Sequence, residues 1–177
     1  MGKNIEVSKY VSYKEVIFSE TALRNDINNN PSKEQLELIK ECAKKVFDPL
    51  REWVGGQVKI NSIFRSIALN LKIGGSNSSQ HSVGLDKLKN SYGSAIDIDD
   101  TYGHKSNSEM FHYIKDNLDF DQLIAEFPDK EGNPSWVHLS YRPDGKNRKQ
   151  ILVAIKNPKT TYVPYKGNEN KINRKSI

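Results

Sequence analysis

Candidate metal ligands are concentrated in one stretch, SSQHSVGLDKLKNSYGSAIDIDD, at residues 78–100. It holds His81 and then the run Ser94-Ala95-Ile96-Asp97-Ile98-Asp99. Side chains alternate along a strand, so Ala95, Asp97 and Asp99 share one face and Ile96 and Ile98 the other. Two carboxylates side by side on a buried face are costly unless a cation or hydrogen-bond donors offset them. His138, in Ser135-Trp136-Val137-His138-Leu139-Ser140, supplies a third ligand type. Two histidines and a strand acid suit one cation of the zinc kind. On the strand pattern alone, Asp97 and Asp99 are equal candidates, and hydrated aspartates on an exposed face explain the strand as well. Cys42 is the single cysteine, which excludes an internal disulfide and any cysteine-based metal site. His104 and His112 lack a ligand partner three or four residues away and read as surface or packing residues.

The elements that must position these residues are readable in outline. Ser32-Lys33-Glu34-Gln35 has the form of a capping box and opens a helix running to about Trp53. Leu36, Ile39, Ala43, Val46, Phe47, Leu50 and Trp53 form its apolar stripe, with Cys42 beside it as a packing residue. Pro49 removes one backbone donor, which predicts a kink near Lys45, and Gly55-Gly56 ends the helix. Before it lie an apolar cluster at Val16, Ile17 and Phe18, a helical turn capped by Ser19, and an Asn-rich loop ahead of Pro31. Residues 57–63 alternate as a strand with Arg65 just past its end, and a short helix over 66–73 stops at Gly74-Gly75. A polar loop, 76–81, then delivers His81. After the 94–99 strand comes a helix over 107–117, capped by Ser106 or Ser108. Strands follow at 122–127, 136–141 and 150–155, with an antiparallel hairpin among them. Pairing the first with the second brings Glu126 close to His138. Beyond Lys156 only Thr160-Thr161-Tyr162-Val163 reads as ordered, and 166–177 as a flexible basic tail.

Bulk properties set the frame. A chain of 177 residues suits one globular domain, here 1–165, and buries roughly 70% of its unfolded surface. Lys and Arg number 27 against 22 Asp and Glu, a net charge of +5. The excess sits in the tail, at Lys156, Lys159, Lys166, Lys171, Arg174 and Lys175 against Glu169. A solvated tail is the plainer reading, and a general attraction to an anionic polymer such as a bacterial wall the other. Nucleic-acid binding lacks both aromatics interleaved in the basic run and a reading helix. There is no signal-type apolar run at the N-terminus and no membrane-length one anywhere, which reads as a soluble chain made in the cytoplasm. Gly2 does not head a myristoylation motif, because the hydroxyl residue Ser8 comes too late.

With these pieces in place, the sequence resembles peptidase family M15, the zinc D-Ala-D-Ala carboxypeptidases and endopeptidases, and in particular its phage and bacterial branch. The segments that carry the likeness run in the family's order. They are Ser19-Glu20-Thr21-Ala22, Phe64-Arg65-Ser66, Asn70 with Gly74-Gly75, Ser79-Gln80-His81, Gly93-x-Ala95-x-Asp97, Trp136-Val137-His138-x-Ser140 and Asn147-Arg148. The resemblance implies that His81, Asp97 and His138 hold one zinc ion, and so chooses Asp97 over Asp99. It departs from the usual pattern by an insertion at 85–92, LDKLKNSY, between Gly84 and Gly93, expected to be a surface loop or a flap that touches substrate.

Relatives carry the general base three residues before the last histidine ligand or on the preceding strand. Ser135 occupies the first position here and cannot serve, which leaves Glu126, with Asp129 and Glu131 as poorer choices in a turn. Arg65 is expected to stabilise an oxyanion or hold a substrate carboxylate, and Ser79 and Gln80 to orient peptide or His81. The implied fold is α+β, Hedgehog/DD-peptidase-like, a small mainly antiparallel sheet with helices on one side. The implied substrates are peptidoglycan peptides, cut at a terminal D-Ala-D-Ala bond or at a cross-link as in an endolysin. Access to the wall would come through phage lysis components or carriage in a virion. A non-catalytic M15-like virion or wall-binding module is the alternative.

Overall fold

The computed structural model describes residues 6–167. The positions of the Gly2 motif and most of the basic tail lie outside them. The chain's longest helical run begins as expected at Ser32, whose hydroxyl accepts the Gln35 amide while Gln35 reaches back to the Ser32 N–H. It proceeds as α3 (Lys33–Cys42), a π-helical turn (Ala43–Phe47) and α4 (Asp48–Val54). The kink anticipated from Pro49 takes the form of this wider turn. The Asp48 N–H bonds the Ala43 carbonyl, an i→i−5 bond that makes room for a proline lacking its own donor. Gly55 closes the run at φ +70, a conformation that costs glycine little. Ahead of it stand α1 (Tyr13–Ile17), where the apolar Val16 and Ile17 lie, and α2 (Glu20–Arg24), capped by Ser19.

Six strands form one sheet in the order β1-β2-β4-β3-β5-β6. They are β1 (Lys59–Ser62), β2 (Ser94–Asp99), β3 (Gln122–Glu126), β4 (Trp136–Tyr141), β5 (Gln150–Asn157) and β6 (Lys159–Pro164). The pairings are antiparallel except for β3 with β5, which run parallel, so the sheet is mixed. β5 runs past the expected 155 and turns back as β6, so the ordered segment expected at 160–163 is a strand. β1 is shorter than the expected 57–63. The two remaining helices are α5 (Ile67–Lys72), capped by Ser66, and α6 (Asn107–Asn117), capped by Ser106 with Glu109 completing the box.

Alternation along the strands separates two faces. Ile96, Ile98, Leu123, Ala125, Val137 and Leu139 join Ile39, Phe47, Phe111 and Ile114 of the helices in the hydrophobic core. Asp97, Ile124, Glu126, Trp136 and His138 stand on the other face and line a cavity. Cys42 is fully buried in the core, where burial pushes its thiol up to about 12, so it acts as a packing residue. His112 meets Phe111 and Tyr165 edge-on, and the His104 ring covers Gly56 so closely that a Cβ there would fall 2.3 Å from it. No helix among the described residues is long and apolar enough to cross a membrane.

Candidate metal centre

β2 and β4 bring the first two ligand candidates together, because Asp97 pairs directly with His138 in register. Gly93 permits that approach. Its φ is +101, and a Cβ would fall 2.2 Å from the Tyr141 carbonyl oxygen. His81 arrives on a 3-10 turn (Gln80–Ser82), which Ser79 caps by accepting the His81 N–H. Gln35 of α3 donates to the Ser82 and Val83 carbonyls and ties that turn to the helix start. Val83, held at φ +47 and buried, ends the turn in a conformation rare for a β-branched residue.

The three side chains converge on a small triangle. His81 Nε2 and His138 Nδ1 lie 3.1 and 2.9 Å from Asp97 Oδ1, and 3.1 Å from each other. His81 Nδ1 lies 2.8 Å from the Ile63 carbonyl, which can only accept, so Nδ1 carries the proton and Nε2 presents a lone pair. Burial lowers the His81 imidazole below its ordinary value, outweighing the pull of Asp97. For Asp97 burial pushes upward, but the His81 and His138 imidazoles prevail and hold the carboxyl well below the usual range.

With Nδ1 bound to the Ile63 carbonyl, His81 turns Nε2 toward a carboxylate oxygen and a second imidazole. One proton can bridge only one edge of such a triangle, whereas a central cation satisfies all three atoms. Bonds of about 2.0–2.1 Å at a tetrahedral angle imply ligand edges of about 3.3 Å, close to those seen. The donor set fits a divalent metal ion, and His81, Asp97 and His138 form the group that can hold one. Asp99 is not part of it, since its carboxylate accepts from Asn107 Nδ2 and Thr101 instead.

Glu126 lies one strand over, with Ile124 opposite His138 and Glu126 opposite Trp136. It lines the same cavity, of about 660 Å³, and is 6% exposed. Burial raises its carboxyl to about 7, with His138 and Arg65 pulling it down and Asp97 pushing it up. Ser135, at the position where an acid was missing, closes the β3–β4 connection by donating to the Glu126 and Phe127 carbonyls. Arg65 reaches Asp97 Oδ2 through Nη2 at 3.3 Å, and its backbone N–H donates to the His81 carbonyl. It thus holds the carboxylate oxygen that the triangle does not use. Arg65 Nε, buried and without a partner, leaves guanidinium capacity on a group that lines the cavity.

Of the residues that support the site, Asn29 and Asp121 gave no signal in the sequence, whereas Gln80 was expected to orient peptide or His81. Asn29, in the Asn run read as a loop, donates to the Ile17 and Phe64 carbonyls and accepts the Ser66 N–H, clamping both neighbours of Arg65. Gln80 spends its amide donors on the Tyr92 carbonyl and on Asp121, so it fixes the turn that carries His81. Asp121 is fully buried and pairs with Arg148 through both carboxylate oxygens. The 85–92 insertion folds as a loop closed at its neck by the Gly84 N–H on the Ser91 carbonyl, and Arg142 donates to the Lys87 and Lys89 carbonyls. Asn90 of this loop reaches the cavity wall.

The cavity differs along its length. On one side of the His138 row stand Gln122, Gln150 and Arg148; on the other, Trp136, Phe127 and Tyr162.

No curated protein sequence matches the chain. A family model described as Peptidase M15 matches residues 9–140, three-quarters of the sequence, and that span takes in Arg65, His81, Asp97, Glu126 and His138. A match of that extent, over a fold that gathers these five side chains around one cavity, means that the chain belongs to peptidase family M15.

Proposed function

We propose that the protein is a zinc-dependent peptidase acting on peptidoglycan, cutting stem peptides or their cross-links as a D-Ala-D-Ala carboxypeptidase or an endolysin-type endopeptidase. The observation that carries this reading is the convergence of His81 Nε2, Asp97 Oδ1 and His138 Nδ1 within 3.1 Å, with a buried carboxyl on the neighbouring strand. Two neutral imidazoles and one carboxylate leave a zinc ion about +1 and a coordination position free, the composition of a catalytic site. Zinc held there would supply Lewis-acid polarisation of the scissile carbonyl and an acidified water.

The chain's own groups do the rest. Glu126, poised near neutrality, accepts a proton from the attacking water on its carboxylate and delivers it to the leaving amine. Arg65 keeps Asp97 oriented and offers its remaining N–H groups to an oxyanion or a substrate carboxylate. The net charge of +5 favours an anionic wall, which the protein would reach through phage-mediated release or within a virion.

Elemental analysis and hydrolysis of purified peptidoglycan test this together. Wild type should carry about one zinc per chain, and His138→Ala should lose it. Glu126→Gln should keep the zinc and lose cleavage by about 10²- to 10⁴-fold. Zinc without cleavage by wild type would favour a wall-binding module; a metal-replete wild type without zinc would refute the metal centre.

A further inference from the structure

The β5–β6 hairpin lies beyond the matched residues 9–140, yet it supplies Leu152, Thr160 and Tyr162 to the cavity wall. Register fixes where Tyr162 stands. Glu126 of β3 pairs with Ala154 of β5, and Ala154 pairs with Tyr162 of β6. Residues in register share a sheet face, so Tyr162 rises on the Glu126 side, two strands away across about 10 Å of backbone. The residue between them in that row is the fully buried Ala154, whose single methyl group puts little bulk between the two side chains. Tyr162 is about half exposed and shares the cavity with Arg65, Asp97 and His138.

Several polar groups of the cavity wall are already paired, those of Gln122 and Gln150 on the far side of the His138 row. Gln122 Nε2 donates to Gln150 Oε1 at 2.7 Å, the Gln80 amide is spent on Tyr92 and Asp121, and one Arg65 nitrogen is held by Asp97. Glu126 is the acceptor in the reaction. Tyr162 offers a neutral donor in the same register row as the base, with Thr160 two residues before it on the strand. Burial, together with the Glu126 and Asp97 carboxylates, raises its phenol above the ordinary value, so the hydroxyl keeps its proton throughout the neutral range.

We propose that Tyr162 is a further catalytic residue, whose phenol donates a hydrogen bond to the scissile carbonyl oxygen as that oxygen gains negative charge. The proton is shared and not transferred, so the Glu126 proton cycle is unchanged. The role rests on the peptidase reading given above. It adds a transition-state contact from a hairpin outside the matched family segment, opposite Arg65.

Tyr162→Phe removes the hydroxyl and keeps the ring. Kinetics on peptidoglycan peptides should show kcat lower by about 10- to 100-fold with KM and zinc content unchanged. A phosphinate analogue of the scissile dipeptide, tetrahedral and anionic, should bind more weakly by a similar factor, while an uncleaved peptide binds as before. Wild-type kcat in Tyr162→Phe would overturn the proposal, as would a loss confined to KM, which marks a ground-state contact. A wild type that neither binds zinc nor cleaves peptide would instead overturn the peptidase reading, and this role with it.

Discussion

Glu126 is a carboxyl whose surroundings oppose its ionisation, and this has a consequence for stability separate from catalysis. Its folded value is about 7 against an ordinary 4.5, chiefly through burial. Below about pH 4.5 it is protonated folded or unfolded and adds no pH dependence. Between 4.5 and 7 the native state keeps a proton that the unfolded chain has released, so stability falls as pH rises, and the full penalty stands above 7. A difference of that size corresponds to about 1–3 kcal/mol once residual solvation is allowed for. In chelator-treated protein, Glu126→Gln should therefore be more stable than wild type by that amount near pH ~8 and equal to it near pH ~4, as read by urea unfolding. An equal offset at both pH values would rule out the raised carboxyl. Asp121 acts at one remove. Its replacement by Asn leaves Arg148 half-paired and slackens the Gln80 latch beside His81. Metal affinity, measured by competition with a chelating dye, should fall by about 10- to 100-fold, while turnover at saturating metal changes little.

Among the elements, β2 carries the tightest local constraint. Gly93→Ala would set a Cβ against the Tyr141 carbonyl in a conformation closed to alanine, pushing β2 from β4 and parting Asp97 from His138. A loss of at least about 2 kcal/mol is expected, seen as a lowered thermal midpoint together with lost zinc; a variant of wild-type stability would contradict the packing. What the sequence made legible here is local. The β2 run, the α3 and α6 capping boxes and the Pro49 disruption each state their structure within a few residues, and the faces of β3 and β4 follow from alternation. The parallel β3–β5 pairing and the clamps made by Asn29 and Asp121 depend on partners 12 to 41 residues away, which no local pattern encodes. Five-residue α1 is too short to show a helical period. Ser135 could not serve as an acid, and the carboxyl expected in its stead, Glu126, lies on the neighbouring strand with its carbonyl bound by the Ser135 N–H.

At the scale of the molecule, the three candidate ligand residues come from parts of the chain that are far apart in sequence. His81 belongs to a turn fixed by α3 and Asp121, Asp97 to the β1–β2 side of the sheet, and His138 to the β3–β4 hairpin. Without a cation, this junction buries two imidazoles and a carboxylate away from water, at a desolvation cost that a metal ion would offset. Metal binding should accordingly stabilise the whole fold and not merely the cavity. A ligand that binds only the native state adds about 2.7 kcal/mol at a concentration one hundred times its Kd. For a chain of this size each kcal/mol moves Tm by about 2–4 °C, so zinc should raise Tm by about 5–10 °C over chelator-treated protein. His138→Ala should abolish the rise, whereas Tyr162→Phe and Glu126→Gln, which leave the triangle intact, should keep most of it. A zinc-induced shift that survives in His138→Ala would mean that the metal binds elsewhere, and a wild type indifferent to zinc would mean that the triangle closes by hydrogen bonding alone.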